Sequence, residues 1–139
     1  MSRPEDSFQY VVLRVVPRIE RGERINGGIV VYAQANEFLQ ARVALDETRL
    51  HAIAPGVETG PIKAQLDAIA AVAAGNASAG PIARLDRGQR FHWLSSPAST
   101  VVQPGPIHTG LCSDPAEALE RLFARLVLPA PDDQAGGDR

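Results

Sequence analysis

Side chains of types that bind anions or transfer protons are concentrated in three parts of this sequence: residues 14–27, residue 90, and residues 99–109. Guanidinium groups, small hydroxyls and side-chain amides donate hydrogen bonds to phosphate or carboxylate. Backbone N–H groups ahead of a helix can add to such a site. One interpretation is therefore an anion- or nucleotide-phosphate-binding pocket. Its candidate residues are Arg14, Arg18, Glu23, Asn26, Arg90, Ser99, Thr100, His108 and Thr109.

The competing interpretation is a structural ion-pair network between the same segments. Arg14 would pair with Glu23, and Arg90 with Asp86 or Glu20, which would fix an early hairpin against a later loop. Buried pairs of this kind specify geometry more than they stabilise. Both interpretations require the hairpin and the "HTG" loop to lie side by side. The pocket requires in addition that four side chains converge: Arg14, Asn26, Arg90 and His108.

No catalytic motif is complete. As a general base, His108 would need an acidic orienting residue and a nucleophile within hydrogen-bond reach. Ser99 is the nearest hydroxyl candidate, but it lies outside a G-x-S-x-G motif. His108 and Cys112 have H-x₃-C spacing, which supplies two of the four ligands that structural zinc requires. We expect no metal and no cofactor, and a non-enzymatic role is favoured, although an enzyme remains the alternative.

Composition narrows the class of protein. The chain has 139 residues, the size of one domain, and 45% are hydrophobic, which excludes a disordered chain. The net charge of −2 argues against sequence-independent nucleic-acid binding. No apolar run is long enough to cross a membrane, and the N-terminus does not resemble a signal peptide. With one cysteine, Cys112, a reducing cytoplasm is the expected location.

Hydrophobic periodicity predicts the elements that must position these residues. Alternating patterns indicate strands at 8–16 and 38–45, and the apolar run at 25–33 would complete a hairpin with the first of them. A further strand is predicted at 99–104, ended by Pro104, and helical patterns indicate helices at 46–54, 61–75 and from Pro115 onward. Residues 85–96 fit either a strand or a helix. The order favours an α+β fold, with a mainly antiparallel sheet of about four strands and helices packed on one face. The domain would span 8–128, between a loose N-terminus (1–7) and a disordered tail (129–139).

Three stretches together resemble a known family. "YVVLRVVPRIERGERINGGIV" contains R-x-x-P-x-x-x-x-G-E-x-x-N, "RFHWLSSPASTVVQPGPIHTGL" contains R-F-x-W-L, S-T and H-T-G, and "LERLFARLV" closes the domain. The chain resembles the bacterial domain-of-unknown-function family numbered 3037 over roughly residues 8–128. Two positions depart from its pattern. Gly27 stands where a branched apolar residue is more usual, and Gly105 stands where serine is common.

The resemblance implies a partner rather than a reaction. The activity of the family is not established, but its members are often encoded beside HipA-like kinases. We therefore expect a small cytoplasmic interaction or regulatory module that acts with such a kinase or self-associates. Phe91 and Trp93 would then be core or interface anchors, and a base-stacking platform is the alternative.

Overall fold

The computed structural model describes residues 4–129. Nine regular elements follow one another along the chain, with short 3₁₀ turns between some of them. They are β1 (Asp6–Val15), β2 (Ile25–Ala33), β3 (Phe38–Val43), α1 (Glu47–Ile53), α2 (Gly60–Ala74), α3 (Arg87–Ser95), β4 (Val102–Pro104), β5 (His108–Cys112) and α4 (Pro115–Leu126). The fold is α+β, as the order of elements predicts.

The strands form one antiparallel sheet in the order β3–β2–β1–β4, and β5 also pairs with β1. β4 and β5 therefore lie along the same edge of β1. β4 faces residues 13–15 and β5 faces residues 6–10. Between them the edge has one residue more than β1, which makes a β-bulge at "GPI" (105–107). The sheet has five strands because "HTGLC" forms a strand that the sequence pattern did not predict.

Both faces of the sheet are covered by helices, so the prediction of helices on one face is wrong. Val11 and Leu13 pack in one core with residues of α2 and α3. Phe8, Ile29 and Val31 pack in a second core with residues of α4. Side chains alternate across a strand, and both alternating sets of β1 and β2 are largely apolar. Strands that are apolar on both faces are expected to be packed against other elements on both faces.

Three of the four helices, α1, α3 and α4, begin after an aspartate whose side chain accepts from a free N–H group of the first turn, whereas α2 has no side-chain cap. The carboxylates of Asp46, Asp86 and Asp114 accept from the backbone N–H groups of Arg49, Gln89 and Ala116. The cap at Asp86 makes residues 87–95 a helix, which settles the choice left open by the sequence. On the second face, Arg42 of β3 pairs with Glu120 and lies 4.7 Å from the centre of the Phe123 ring. Both contacts hold α4 against the sheet.

The helix boundaries agree closely with the sequence pattern, but β4 is shorter than predicted, Val102–Pro104 rather than 99–104, and β3 ends at Val43 rather than at residue 45. β2 spans the predicted residues, whereas β1 begins at Asp6 and includes two residues expected to be loose. The predicted tail lies almost wholly outside the described residues, as do residues 1–3. No helix within residues 4–129 combines the length and the apolar composition needed to cross a membrane.

Candidate functional site

Arg14 and Asn26 are direct neighbours across β1 and β2, beside a register shift at Leu13/Arg14. Asn26 Nδ2 donates to the backbone oxygen of Leu126 at 2.9 Å, at the end of α4. Arg14 is partly buried, and its guanidinium lies against Gly105, where an added Cβ would come within 3.0 Å of it. Asn26 thus lies at the C-terminal end of α4, where the helix dipole favours a cation over an anion, and Arg14 is its neighbour on β1.

Arg90 lies on the other face of the sheet, within the core formed with α2 and α3. Only 9% of its surface is exposed, and no carboxylate in the described residues pairs with it. Nη1 donates to the oxygen of Leu85 at 2.7 Å, and Nη2 to the oxygen of Ala73 at 3.3 Å, while Nε has no partner among the described residues. The guanidinium therefore caps the last turn of α2. Gly75 follows with φ of 74°, and its missing side chain leaves room for Arg90.

The predicted ion pairs are wrong, although a structural role for the arginines is supported. Glu23 pairs with Arg21 at 2.5 Å rather than with Arg14. Asp86 caps α3 rather than pairing with Arg90. Arg18 is exposed, and its backbone oxygen accepts from Arg21 and Gly22 in the hairpin turn. Backbone hydrogen bonds close the turn, and the exposed Glu23 pairs with a residue close in sequence rather than with Arg14.

The remaining candidates line the opposite edge of β1. His108 faces Tyr10, with 5.1 Å between the two ring centres, and Thr109 faces Gln9. Ser99 is exposed before β4, and the Thr100 hydroxyl donates to the oxygen of Val102 at 2.7 Å. No hydrogen bond joins Ser99 to His108 within the described residues, so the structure does not assemble a nucleophile–base pair there.

The four residues that a pocket requires do not converge. Arg14, Asn26 and His108 lie on the α4 face, and Arg90 lies on the α2 and α3 face. His108 faces Tyr10, four residues along β1 from Arg14, which separates them by about 13 Å. The hairpin and the "HTG" strand are neighbours, as expected, but their polar groups do not share one cavity. Anion binding by any one of these residues stays a prediction.

A well-formed concavity among the described residues is apolar, and sequence reasoning did not identify it as a site. We call it the Trp93 groove. It has a volume of about 470 Å³ and lies between α2, the end of α3 and β4. Trp93 is 49% exposed at its rim. Its other lining residues are Leu13, Gln65, Ala68, Ile69, Val72, Ala79, Leu94, Ser96, Pro97, Ala98, Thr100, Val102 and Pro104.

Position in α3 separates the two aromatic residues. Phe91 is buried and stacks on Tyr32, with 5.1 Å between ring centres. Trp93 lies two positions further, which turns it out of the core by about 200° around the helix. The sequence signal for this site was the single tryptophan itself, since tryptophan is enriched at binding surfaces.

No titratable side chain lines the Trp93 groove, so it offers no general acid, base or nucleophilic thiol. Cys112 lies in the second core instead, where burial raises the pKa of its thiol and keeps it protonated at neutral pH. Within residues 4–129 no three His, Cys, Asp or Glu side chains cluster in a way that could hold a metal ion. The groove is suited to binding apolar groups.

Comparison with known proteins gives one match. The sequence model of the family described as "Protein of unknown function (DUF3037)" matches residues 10–127. Comparisons with curated proteins and with solved structures give no match. The matched range includes every strand and helix from β1 to α4 except the first four residues of β1. This chain therefore belongs to the family of proteins of unknown function numbered 3037.

Proposed function

We propose that this protein is a small interaction module that binds a partner protein through the Trp93 groove. The observation that carries the proposal is the half-exposed Trp93 beside an apolar concavity of about 470 Å³. Ligand pockets have volumes of a few hundred Å³, and buried tryptophans are among the residues that contribute most to binding at interfaces. A partner that binds over Trp93 would remove apolar surface from water without burying a charge.

The chemistry of the surrounding segment supports the same proposal. From Phe91 to Ser113 the chain contains no Asp, Glu, Lys or Arg, although 22% of all its residues are charged. We call residues 91–113 the uncharged segment. It forms most of α3, one wall of the groove, and β4 and β5. Depletion of charge around an exposed aromatic residue is typical of the centre of a protein interface.

The partner we propose is a HipA-like kinase, for which family resemblance is the reason. A regulatory role would follow if the groove holds a segment of the kinase in one position. The groove itself supplies recognition rather than catalysis, because no titratable residue lines it. A kinase segment that fits would present one or two large apolar side chains to Ile69, Val72 and Leu94.

The experiment is calorimetric titration of the purified chain with the HipA-like kinase of the same genome. Trp93→Ala removes the rim aromatic, and Ala68→Lys places a charge on the exposed α2 side of the groove without removing core volume. We expect both variants to weaken binding by at least about tenfold, since hot-spot residues contribute roughly 2 kcal/mol or more. Ile19→Ala is the matched control, because Ile19 is exposed and apolar but lies in the hairpin turn.

An unchanged affinity in both groove variants would reject the groove as the binding surface. Absence of any binding by the wild-type chain would reject the kinase as the partner. In that case the groove can still be tested with apolar peptides.

A further inference from the structure

A second surface of the protein is the outer edge of β5, which the proposed function does not use. β5 pairs with β1 on one side only. Within residues 4–129, no backbone hydrogen bond joins the other side of residues 107–112 to another segment. Edge strands of this kind expose a row of free N–H and C=O groups that can pair with another strand.

The usual protection of an edge strand is present at β4 and absent at β5. Pro104, Pro106 and the bulge at 105–107 interrupt the first part of the edge. The second part, β5 itself ("HTGLC"), contains no proline and no charged residue. Ile107, the bulge residue directly before β5, and Leu111 are 48% and 62% exposed. Because side chains alternate along an extended chain, both lie on the same side as Thr109. An uncharged edge with exposed apolar side chains favours strand pairing.

We propose that β5 pairs with β5 of a second copy of this chain, in antiparallel orientation about a two-fold axis at Thr109. The hydrogen-bonding groups of a strand point alternately to its two edges. Two identical antiparallel strands can therefore pair only in registers that place the axis on a residue, not between two residues. We call residues 107–112 the free segment, and we compare the registers with the axis on His108, Thr109 or Gly110, which lie in its central part.

The apolar side chains select among these registers. With the axis on Thr109, each Ile107 faces Leu111 of the other copy, and the two Thr109 side chains face each other. The axis on His108 would place Pro106 opposite Gly110, where proline has no N–H to donate. The axis on Gly110 would place Ile107 opposite Ser113. Only the register with the axis on Thr109 places two apolar side chains opposite each other in two symmetric pairs. Cross-strand pairs of this kind stabilise a sheet.

Charge is consistent with self-pairing, because the free segment belongs to the uncharged segment and brings no like charges together. The contact is two strands wide, so it belongs with small and weak interfaces. We expect dissociation constants in the range of about 1 μM to 1 mM. The dimer would extend the five strands of each copy into one continuous sheet.

The test is sedimentation velocity over protein concentrations of roughly 1 μM to 1 mM, with a charge exchange that reads out the register. Ile107→Glu alone and Leu111→Lys alone should each weaken dimerisation at least about tenfold, since both symmetric pairs are lost at once. The double variant should recover most of this loss, because the glutamate introduced in each copy then faces the lysine introduced in the other copy. Within one chain these positions are four residues apart, about 13 Å, and cannot pair directly.

Both side chains are about half exposed or more, so the variants should fold, and circular dichroism checks this. A wild-type chain that is monomeric at every concentration would overturn the proposal. Single variants that dimerise like the wild type would also overturn it. A double variant as weak as the single variants would overturn the register at Thr109.

Discussion

Asn26, the second residue of β2, donates a hydrogen bond to the backbone oxygen of Leu126, 100 positions later, at the end of α4. Arg90 makes the equivalent contact on the other face of the sheet, where it donates to the oxygen of Ala73 in the last turn of α2. Carbonyl groups at helix ends lack partners within the helix. Two polar residues of the family motifs thus complete helix termini, and this role accounts for them without a ligand.

The contact of Asn26 predicts a graded loss of stability. Asn26→Ala should lower the free energy of unfolding by about 1–2 kcal/mol, because the hydrogen bond is lost and the oxygen of Leu126 is left partly buried. Asn26→Asp should cost more at neutral pH, since a carboxylate cannot donate and lies at the negative end of α4. Urea unfolding measures both values. An aspartate variant as stable as the wild type would contradict this assignment.

Arg90 is predicted to be structural. Arg90→Met should lower the free energy of unfolding by about 2–4 kcal/mol, because the buried oxygens of Ala73 and Leu85 lose their donor. Arg87→Met is the matched control on the same helix, and exposed changes of this kind stay within about 0.5 kcal/mol. Equal midpoints of urea unfolding for the two variants would show that the guanidinium contributes nothing to the fold.

Gly27 and Gly105, the two departures from the family pattern, are predicted to respond differently to substitution. A Cβ at Gly27 would come within 2.8 Å of Val15 Cγ2 in the core, so Gly27→Ala should cost about 1–3 kcal/mol. Val15→Ala removes that methyl group, so the two changes together should cost less than their sum. Gly105→Ser meets only the mobile end of Arg14 and should cost less than about 1 kcal/mol. Thermal unfolding of the four variants checks the order, and strict additivity at Gly27 and Val15 would contradict it.

The ion pair between Glu47 and Lys63 predicts a pH dependence of stability. Hydrogen bonds from Lys63 and then Thr59 lower the pKa of Glu47 below its usual value. The unfolded chain therefore takes up this proton more readily, and the contribution of the pair is present above the ordinary pKa of glutamate. It is lost as the pH falls through the lowered pKa of the folded state.

Glu47→Gln should consequently reduce the loss of stability in acid and change little at low pH, where both side chains are neutral. The effect is small because the pair is exposed to solvent. Chemical unfolding from neutral pH into the acid range measures it. A variant with the same acid dependence as the wild type would show that the pair does not couple to folding.

Local patterns predicted most of the elements, and long-range contacts account for what they missed. "INGGIVVYA" is a short apolar run rich in branched residues and became β2, and Asp114–Pro115 set the start of α4. "HTGLC" is short and contains glycine, and it forms a strand because β1 offers a free edge and Phe8 lies over Gly110. Its pairing depends on a residue a hundred positions earlier, which periodicity cannot show.

The candidate site was less predictable for the same reason. Arg90 was expected to find a carboxylate, but its partners are backbone oxygens that only the packing of α2 against α3 brings near. The prediction that the hairpin and the "HTG" strand are neighbours is confirmed. Arg90, however, lies on the opposite face of the sheet from Arg14, Asn26 and His108. Trp93 was expected to be an anchor, and the groove beside it became visible only with the loop between α3 and β4 in place.

The most direct measurement of partner binding uses Trp93, the only tryptophan in the chain. Labelling with 5-fluorotryptophan gives a single ¹⁹F resonance that reports on the groove, while the unlabelled HipA-like kinase contributes no signal. We predict that adding the kinase shifts or broadens this resonance, and that Ala68→Lys prevents the change. A kinase that binds the chain while the Trp93 resonance stays unchanged would contradict the proposal that the groove is where the partner binds.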